Sequence, residues 1–324
     1  MESVIYNLSN DDYHRGEGYR DYLSSSQLKA YAKSPKFAKF MLDNPQPETD
    51  AMRFGSLFHD LIASFSRIKG EIPKDLVTQQ IDYQTVVFEP PINEKTSKPY
   101  GAGTKAYNNA LNETKDTYPF TTVISQQEQD ALKGMLESVL FNCGATSEQI
   151  RKLLRWGKPE VSHFIEYEGC KFKWRPDLET GKKIIDWKTV ATNDLSERSI
   201  NTIISKYGYD ISAAFYLFFE HERTGIWKTF YWVFVSKEPP YDAVLVDASE
   251  WVYKYDSEYD IITPEVGAIK MKHLLNLHIK CSRENAWPGA EISIPEDDYG
   301  RRIMHPIPPS WEINIASNIL EQSI

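Results

Sequence analysis

The sequence has few cysteines and no long apolar run. Its three cysteines, Cys143, Cys170 and Cys281, stand singly and form no C-x-x-C pair, which argues against a zinc ribbon or an iron–sulfur cluster. No apolar stretch approaches the roughly 18 residues that a membrane-spanning helix needs. The opening residues, MESVIYNLSNDDYHRGEGYRD, lack the basic flank and apolar stretch of a secretory signal peptide. We therefore expect a cytoplasmic protein with no membrane partner.

An overall excess of positive charge is also missing. The formal net charge is −9, which argues against a protein that coats nucleic acid without specificity. The charge is unevenly distributed, however, because residues 151–188 hold ten Lys and Arg against six Asp and Glu. A local basic surface suits a phosphate-bearing substrate, although a solvated hairpin face explains the same charges equally well.

Hydrophobic periodicity predicts one mixed α/β domain over residues 1–324. The period is helical up to about residue 158 and changes to 2 from Pro159, and helices and strands alternate afterwards. The predicted parts are a mostly helical N-terminal part carrying His59 (1–158), a sheet core carrying the candidate site (159–247), and a C-terminal helix with an irregular tail (248–324).

Several elements are predicted within these parts. Serines at 24–26 cap a first helix, and Pro35 separates it from a second. The proline- and glycine-rich segment 70–103 predicts an irregular excursion. Predicted helices cover about 104–116, 125–141, 146–155, 196–205, 209–223 and 248–280.

Three strand-like runs follow Pro159 in the sequence: VSHFIEY, KFKWRPDL and KKIIDWKTV. Glu168-Gly169 and Thr180-Gly181 separate them, and such short glycine-containing breaks are typical of two-residue hairpin turns. The first turn would place Glu160 opposite Asp177, and the second would place Asp177 opposite Ile184.

This register puts four charged side chains on one face of the sheet, because cross-strand partners and residues two apart on a strand share a face. The four are Glu160, Asp177, Asp186 and Lys188. The opposite face would receive an apolar set that suits a core: Phe172, Trp174, Leu178, Ile185 and Trp187. A slip of one residue would bury the charges instead.

Clustered carboxylates raise one another's pKa, so they need a cation to stay ionised in a dry cleft. Oxygen-rich ligation without sulfur suits Mg²⁺, with Mn²⁺ able to substitute. Such an ion activates water and offsets charge on phosphoryl oxygens, and Lys188 would orient or deprotonate that water. A hairpin whose charges are merely solvated is the alternative.

The same residues resemble the PD-(D/E)xK nuclease motif. Its members here are Pro159-Glu160, Asp177 and Asp186-Trp187-Lys188. Within that superfamily, the segment from Gly55 to His59 resembles the G-x-x-x-H helix of the RecB-like branch, and the serine-capped helices before it are similar too. The stretch from Tyr209 to Tyr216 resembles the branch's Tyr-x-x-Gln-x-x-x-Tyr helix, with Ser212 in place of glutamine. The overall set is most similar to RecE-like exonucleases of phage and prophage recombination modules.

The resemblance implies a restriction-endonuclease-like core, a mixed sheet with a catalytic hairpin flanked by helices. It implies that His59, Asp177, Asp186 and the backbone carbonyl of Trp187 hold the metal. Lys188 would then act on water, and Glu160 would be an auxiliary ligand or a base that positions water. Candidate substrate contacts are Tyr209, Ser212, Tyr216 and Arg53.

The resemblance further implies digestion of linear double-stranded DNA from 5′ to 3′, which leaves 3′ single-stranded tails for recombination. It also implies a ring-shaped homo-oligomer and a single-strand-annealing protein as partner.

Two other functions compete with this one. A related endonuclease would use the same site, and so would a nuclease of the CRISPR-adaptation type, although the absence of a four-cysteine cluster argues against the latter. A catalytically dead DNA-binding module is the alternative from a different class. Ser212 would be a first sign of decay, but the intact set of Glu160, Asp177, Asp186 and Lys188 argues against it.

Overall fold

The computed structural model describes residues 3–256, 258–259, 261–296, 301–302 and 304. Most of the predicted irregular tail up to residue 324 therefore lies outside the described residues. The helices are α1 (Asn10–Arg15), α2 (Ser25–Lys29), α3 (Pro35–Asp43), α4 (Asp50–Ser64), α5 (Asp75–Gln84), α6 (Lys105–Thr117), α7 (Gln126–Glu137), α8 (Gly144–Trp156), α9 (Glu197–Tyr207), α10 (Tyr209–Thr224) and α11 (Val266–Glu284). Shorter helical turns lie at Ala30–Ala32, Phe65–Arg67, Ser138–Asn142 and Ala290–Ser293.

The strands are short apart from two in the middle of the main sheet. They are β1 (Ser3–Ile5), β2 (Thr85–Val87), β3 (Ile92–Asn93), β4 (Lys98–Pro99), β5 (Thr122–Ile124), β6 (Lys158–Pro159), β7 (Ser162–Tyr167), β8 (Cys170–Trp174), β9 (Leu178–Glu179), β10 (Lys183–Val190), β11 (Thr229–Ser236), β12 (Ala243–Asp247), β13 (Tyr253–Asp256) and β14 (Ile261–Pro264).

The first helices begin where the serines and proline predicted. The backbone N–H of Ser24 donates to the side chain of Gln27 at 2.8 Å at the start of α2. Ser34 caps α3 by accepting from the N–H of Phe37 at 3.1 Å, and Pro35 occupies the first helical position, where its missing N–H costs nothing. The pair of short helices is therefore confirmed.

Two predicted segments are wrong. The excursion at 70–103 contains helix α5, because Val77 and Ile81 lie four residues apart and bury themselves against α4 and α7. The long helix expected over 248–280 begins only at Val266. The residues before it form the antiparallel hairpin β13–β14, whose isoleucines and tyrosines favour strands.

A five-stranded mixed sheet forms the centre of the fold, in the order β12-β11-β10-β9-β6. Strand β10 pairs in parallel with β11, and helices α9 and α10 connect the two. Strands β11 and β12 form an antiparallel hairpin. A smaller sheet, β1-β7-β8, lies beside this one.

Apolar side chains cover both faces of the main sheet. On one face, Ile184, Trp232 and Phe234 pack with residues of α10 and α11. On the other, Ile185, Trp187 and Val233 pack with residues of α4, α7 and α8. Helices therefore cover both faces of the sheet, and the predicted mixed α/β class is confirmed.

The first hairpin has the predicted register. Tyr167 pairs with Cys170 and Glu166 with Lys171 across β7 and β8. The same offset continues into the main sheet, where Pro159 pairs with Leu178. The backbone N–H of Glu160 then donates to the carbonyl of Asp177 at 3.3 Å, so these two residues are neighbours as expected.

The second turn is displaced by one residue from its predicted place. The N–H of Thr180 donates to the carbonyl of Lys183, which makes Gly181-Lys182 the turn. The Thr180 hydroxyl accepts from the N–H groups of Lys182 and Lys183, and such side-chain bonds favour this turn. Ile185 therefore pairs with Leu178, and the same register brings Asp177 opposite Asp186 rather than Ile184. The pairing shifts by two residues, so every side chain keeps its face.

The predicted apolar face is wrong in one respect. Phe172 and Trp174 do not share a core with Leu178, Ile185 and Trp187. The chain leaves the small sheet after Trp174 and enters the main sheet at Leu178, through Pro176, which has no N–H to donate to a ladder. The run KFKWRPDL therefore forms two strands in two sheets.

Helix α11 carries a histidine that should make stability depend on pH. Nδ1 of His278 lies 2.8 Å from the Tyr31 hydroxyl, and burial lowers its pKa from 6.5 to about 4. Below about pH 6.5, His278 binds a proton in the unfolded chain, whereas in the folded chain it stays neutral until about pH 4. The free energy of unfolding therefore decreases as the pH falls through this window. Between pH 7 and pH 5 we expect the wild type to lose about 2 kcal/mol more unfolding free energy than His278→Gln.

Denaturant unfolding at the two pH values measures this difference. His273→Gln, at an exposed position of the same helix, is the control and should behave as the wild type does. Equal losses in the wild type and His278→Gln would show that His278 is not the group responsible.

Candidate active site

Several parts of the fold meet at one cavity of about 680 Å³, and three of them carry the predicted metal ligands and the lysine. Helix α4 presents Ser56, His59, Asp60, Ala63 and Ser64, a spacing of three and four residues that places them on one face of the helix. The β9–β10 hairpin contributes Asp177, Asp186 and Lys188, and the end of β6 contributes Glu160.

Helix α4 reaches this hairpin because its apolar side packs beneath it. Phe58 and Leu61 are fully buried, and Phe58 meets Trp187 edge to face at 6.5 Å. Trp187 points away from the cavity into this core, so its neighbour Lys188 on the strand points into the cavity. The packing of two apolar residues therefore brings His59 to carboxylates that lie more than one hundred residues later.

His59, Glu160 and Asp177 form a compact group of possible metal ligands. Their nearest ligand atoms all lie within 4.8 Å of one another. Nδ1 of His59 is 3.4 Å from Oδ1 of Asp177. Oδ2 of Asp177 accepts from the backbone N–H of Trp187 at 2.6 Å, which holds the carboxylate against the next strand.

Glu160 has an unusual backbone conformation. Its φ of +51° lies in the left-handed region, which residues with a Cβ adopt at some energetic cost. This conformation ends β6 beside Asp177, and Glu160 lines the cavity. Arg175 lies beside it, with Nε 3.7 Å from the Glu160 carboxylate.

Asp186 and Lys188 form an ion pair at 2.5 Å. Both side chains are largely buried, and the Lys188 ammonium also lies 4.8 Å from the centre of the Tyr209 ring. Burial would lower the pKa of Lys188, but the charges of Asp186 and Asp177 outweigh it and raise the pKa. The lysine is therefore an ammonium that can donate hydrogen bonds to a substrate.

The carboxylates of the cavity titrate differently from one another. Burial, together with the charge of Asp177, raises the pKa of Glu160 to about 8. Burial also raises the pKa of Asp186, although Lys188 opposes it. For Asp177, burial is outweighed by the charge of His59 and the hydrogen bond with it, and its pKa is lowered. The protein's own cations therefore compensate the acidic cluster incompletely.

These donors fit a hard divalent cation. Carboxylate oxygens and one imidazole nitrogen face a shared space, and the three cysteines do not line it. An added cation would relieve the repulsion that raises the pKa of Glu160. Asp186 lines the same cavity from the next strand, where it is paired with Lys188.

A second acidic group, His163, Glu179 and Glu220, is unsuited to a metal. The Lys228 ammonium already lies between its two carboxylates, 3.3 Å from Glu179 and 2.8 Å from Glu220. His163 is stacked on Trp174 and is 3.2 Å from Glu179. This cluster is a buried ion-pair network that joins α10 to the sheets.

The structure places three of the four candidate substrate contacts in the cavity and the fourth outside it. Tyr209, Ser212 and Tyr216 line the cavity, since α10 presents them at a spacing of three and four residues. Arg53 does not line it. Arg53 lies two turns before His59 on α4, and its guanidinium is paired with Glu128 of α7. That partner neutralises the charge, so Arg53 has no place in the site as described.

Sequence reasoning missed two cations of the cavity. Lys29 lines it from the end of α2, and the acceptor of its ammonium is the Tyr207 carbonyl at 3.1 Å. Arg175 enters from the connection between β8 and β9, where Ser162 and the Leu8 carbonyl hold its guanidinium. Arg175 could have been found as the residue two before Asp177. For Lys29, the sequence contains no indication of this position other than its place shortly after the serine cap.

A family model described as a PDDEXK-like domain of unknown function (DUF3799) matches residues 24–290. No curated protein matches this chain. Among solved structures, a crystal structure of a candidate exonuclease from Eubacterium rectale is similar, with 14% identity over 94% of this chain and 97% of that one and a TM-score of 0.48.

The fold and the cavity define a protein of the PD-(D/E)xK nuclease class, with its acidic residues and lysine on a sheet hairpin. The chain belongs to the family of PDDEXK-like domains of unknown function, and the superfamily expected from the motifs is confirmed. Among the described residues, no helix is long and apolar enough to cross a membrane.

Proposed function

We propose that the protein is a Mg²⁺-dependent exodeoxyribonuclease that digests linear double-stranded DNA. The observation that carries the proposal is the meeting of His59, Glu160, Asp177, Asp186 and Lys188 in one cavity of a PDDEXK-like chain. His59, Asp177, Asp186 and the Trp187 carbonyl would hold the ion, with Glu160 beside them. By the resemblance to RecE-like enzymes, digestion would run from 5′ to 3′ and leave 3′ tails for recombination.

When bound, Mg²⁺ supplies an activated water and stabilises negative charge on the scissile phosphate. The chain's own residues do the rest. Lys188 orients the attacking water and donates hydrogen bonds to the phosphate oxygens as their charge increases. Glu160, whose raised pKa a bound cation would lower, would then be a carboxylate near neutral pH and could accept a proton from water. Lys29 adds a second positive charge at the wall next to Tyr209.

A homo-oligomeric ring, a single-strand-annealing partner and a cytoplasmic location complete the proposal. They follow from the resemblance and from the sequence features described above. Sedimentation with and without DNA would test the oligomer directly.

Incubation of linear and covalently closed circular duplexes with Mg²⁺ tests the activity. We expect the linear DNA to be degraded, the circular DNA to remain intact, and EDTA to stop the reaction. Labels on the 5′ or the 3′ ends report the polarity, since the end attacked first loses its label first. Cutting of the circle would identify the related endonuclease instead, and failure to cut either DNA would identify a DNA-binding module without catalysis.

A further inference from the structure

Two large aromatic side chains near the cavity are almost completely exposed. Tyr83, in the last turn of α5, is 80% exposed, and Phe120, in the turn before β5, is 97% exposed. Exposed rings of this size forgo the stabilisation that burial would bring, and adjacent ones mark interaction sites.

The strand pairing brings these two residues together. Strands β2 and β5 are parallel neighbours, with Thr85 paired to Thr122. Tyr83 and Phe120 each stand two residues before one of these paired threonines, so they emerge at the same edge of this small sheet. Both line a common cavity of about 400 Å³.

This smaller cavity adjoins the catalytic one. Asp60 and Gln84 line both cavities, so the two cavities are direct neighbours. The other polar lining groups, Thr121 and Thr122, offer hydroxyls, and no lysine or arginine is among the described residues that line it. This lining offers no cation to a phosphate, and the Asp60 carboxylate would repel it. Nucleobases, in contrast, could stack on the rings and form hydrogen bonds with the hydroxyl and amide groups.

We propose that Tyr83 and Phe120 form a stacking platform for the bases of a single-stranded segment of the DNA substrate, next to the catalytic cavity. The inference rests on the proposed function and specifies its substrate. In a duplex the base faces are covered by their neighbours, so the rings select DNA that is unpaired at this point. Stacking on aromatic side chains tolerates any base, as a nuclease without sequence preference requires.

Binding of fluorescein-labelled DNA with a single-stranded end, measured by anisotropy in EDTA so that no hydrolysis occurs, tests the platform. Tyr83→Ala and Phe120→Ala should each weaken binding by about 5- to 150-fold, the effect of losing one base–aromatic stack. Tyr83→Phe should bind as the wild type does, because it keeps the ring. Phe40→Ala, at a 55% exposed ring on α3 that lines neither cavity, is the matched control and should have no effect.

Two further readouts separate stacking from other causes. Loss of stacking should leave the slope of log Kd against log salt unchanged, whereas loss of a phosphate contact makes it shallower. An abasic site at one position of the single strand should weaken binding to the wild type and have no further effect on the Tyr83→Ala, Phe120→Ala double variant. The thermal unfolding midpoint of each variant should equal that of the wild type, because both rings are exposed, and this measurement checks that the variants fold.

Wild-type affinity in the double variant, a changed salt slope, or equal abasic effects in both proteins would each overturn the platform. These outcomes are distinguishable from a failure of the proposed function. If the proposed function is wrong, the wild type itself will not degrade DNA in Mg²⁺. If only the stacking platform is wrong, the wild type will be an active nuclease and the variants will have its KM.

Discussion

Lys188→Ala should lower the rate of DNA hydrolysis by about 10²–10⁴-fold, the usual contribution of a group that moves or orients a proton in the transition state. The ammonium is largely buried beside Asp186 and Tyr209, and alanine supplies neither its charge nor a hydrogen-bond donor there. Binding of Mn²⁺, followed by calorimetric titration, should be largely retained, because the carboxylates and His59 remain. A rate assay on linear duplex with saturating metal measures the loss.

Lys182→Ala is the matched control, since Lys182 lies in the exposed turn of the same hairpin. It removes one positive charge near the site without touching the cavity, and it should cut DNA at the wild-type rate. If Lys188→Ala retained near-normal cutting, the mechanism proposed for the site would be wrong, even though the fold would stand.

Asp186→Ala should abolish both hydrolysis and tight metal binding, because it removes a proposed ligand. The contrast with Lys188→Ala is therefore in the titration, where only the aspartate variant should lose its heat of Mn²⁺ binding. Asp186→Asn preserves the shape of the side chain and should behave in the same way, which separates the loss of charge from the loss of volume. Asp116→Ala, on the exposed face of α6, controls for a general loss of negative charge.

The effect of Asp186→Ala on stability without metal is set by two opposing terms. Removing one carboxylate relieves the repulsion that Asp177 exerts on Asp186, which favours folding. The ion pair with Lys188 is lost at the same time, and this leaves a largely buried ammonium with Asp177 as its remaining nearby negative charge.

Wild-type affinity for Mn²⁺ in either Asp186 variant would remove Asp186 from the proposed ligands.

How far the sequence predicts the site is clearest at the catalytic hairpin. The sequence pattern predicts the second turn one residue too early, yet Asp186 and Lys188 still share the face expected for them. Side chains alternate with a period of two, and the error shifted the pairing by two residues, so the faces were unaffected. A two-residue error in register therefore leaves the predicted face of each side chain correct, although it makes the predicted cross-strand partner wrong.

Other features depended on contacts between distant segments. The switch of KFKWRPDL from one sheet to the other divides what looked like one apolar face between two cores. Local periodicity carries no information about which sheet a strand joins. The hairpin β13–β14 is a different case, because its isoleucines and tyrosines favour strands and the helix predicted over 248–280 disregards that preference.

The sequence by itself determined the alternation along β7 to β10, the serine-capped helices, the confirmed PD-(D/E)xK class and the shared face of Asp186 and Lys188. These depend on residue types and spacing over a few positions, which local backbone geometry translates directly into structure. Only the tertiary structure placed Lys29 and Arg175 in the cavity, turned Arg53 toward Glu128, and set Tyr83 beside Phe120. Each of these positions results from packing between elements far apart in the chain, where long-range contacts rather than local propensity determine which side chains meet.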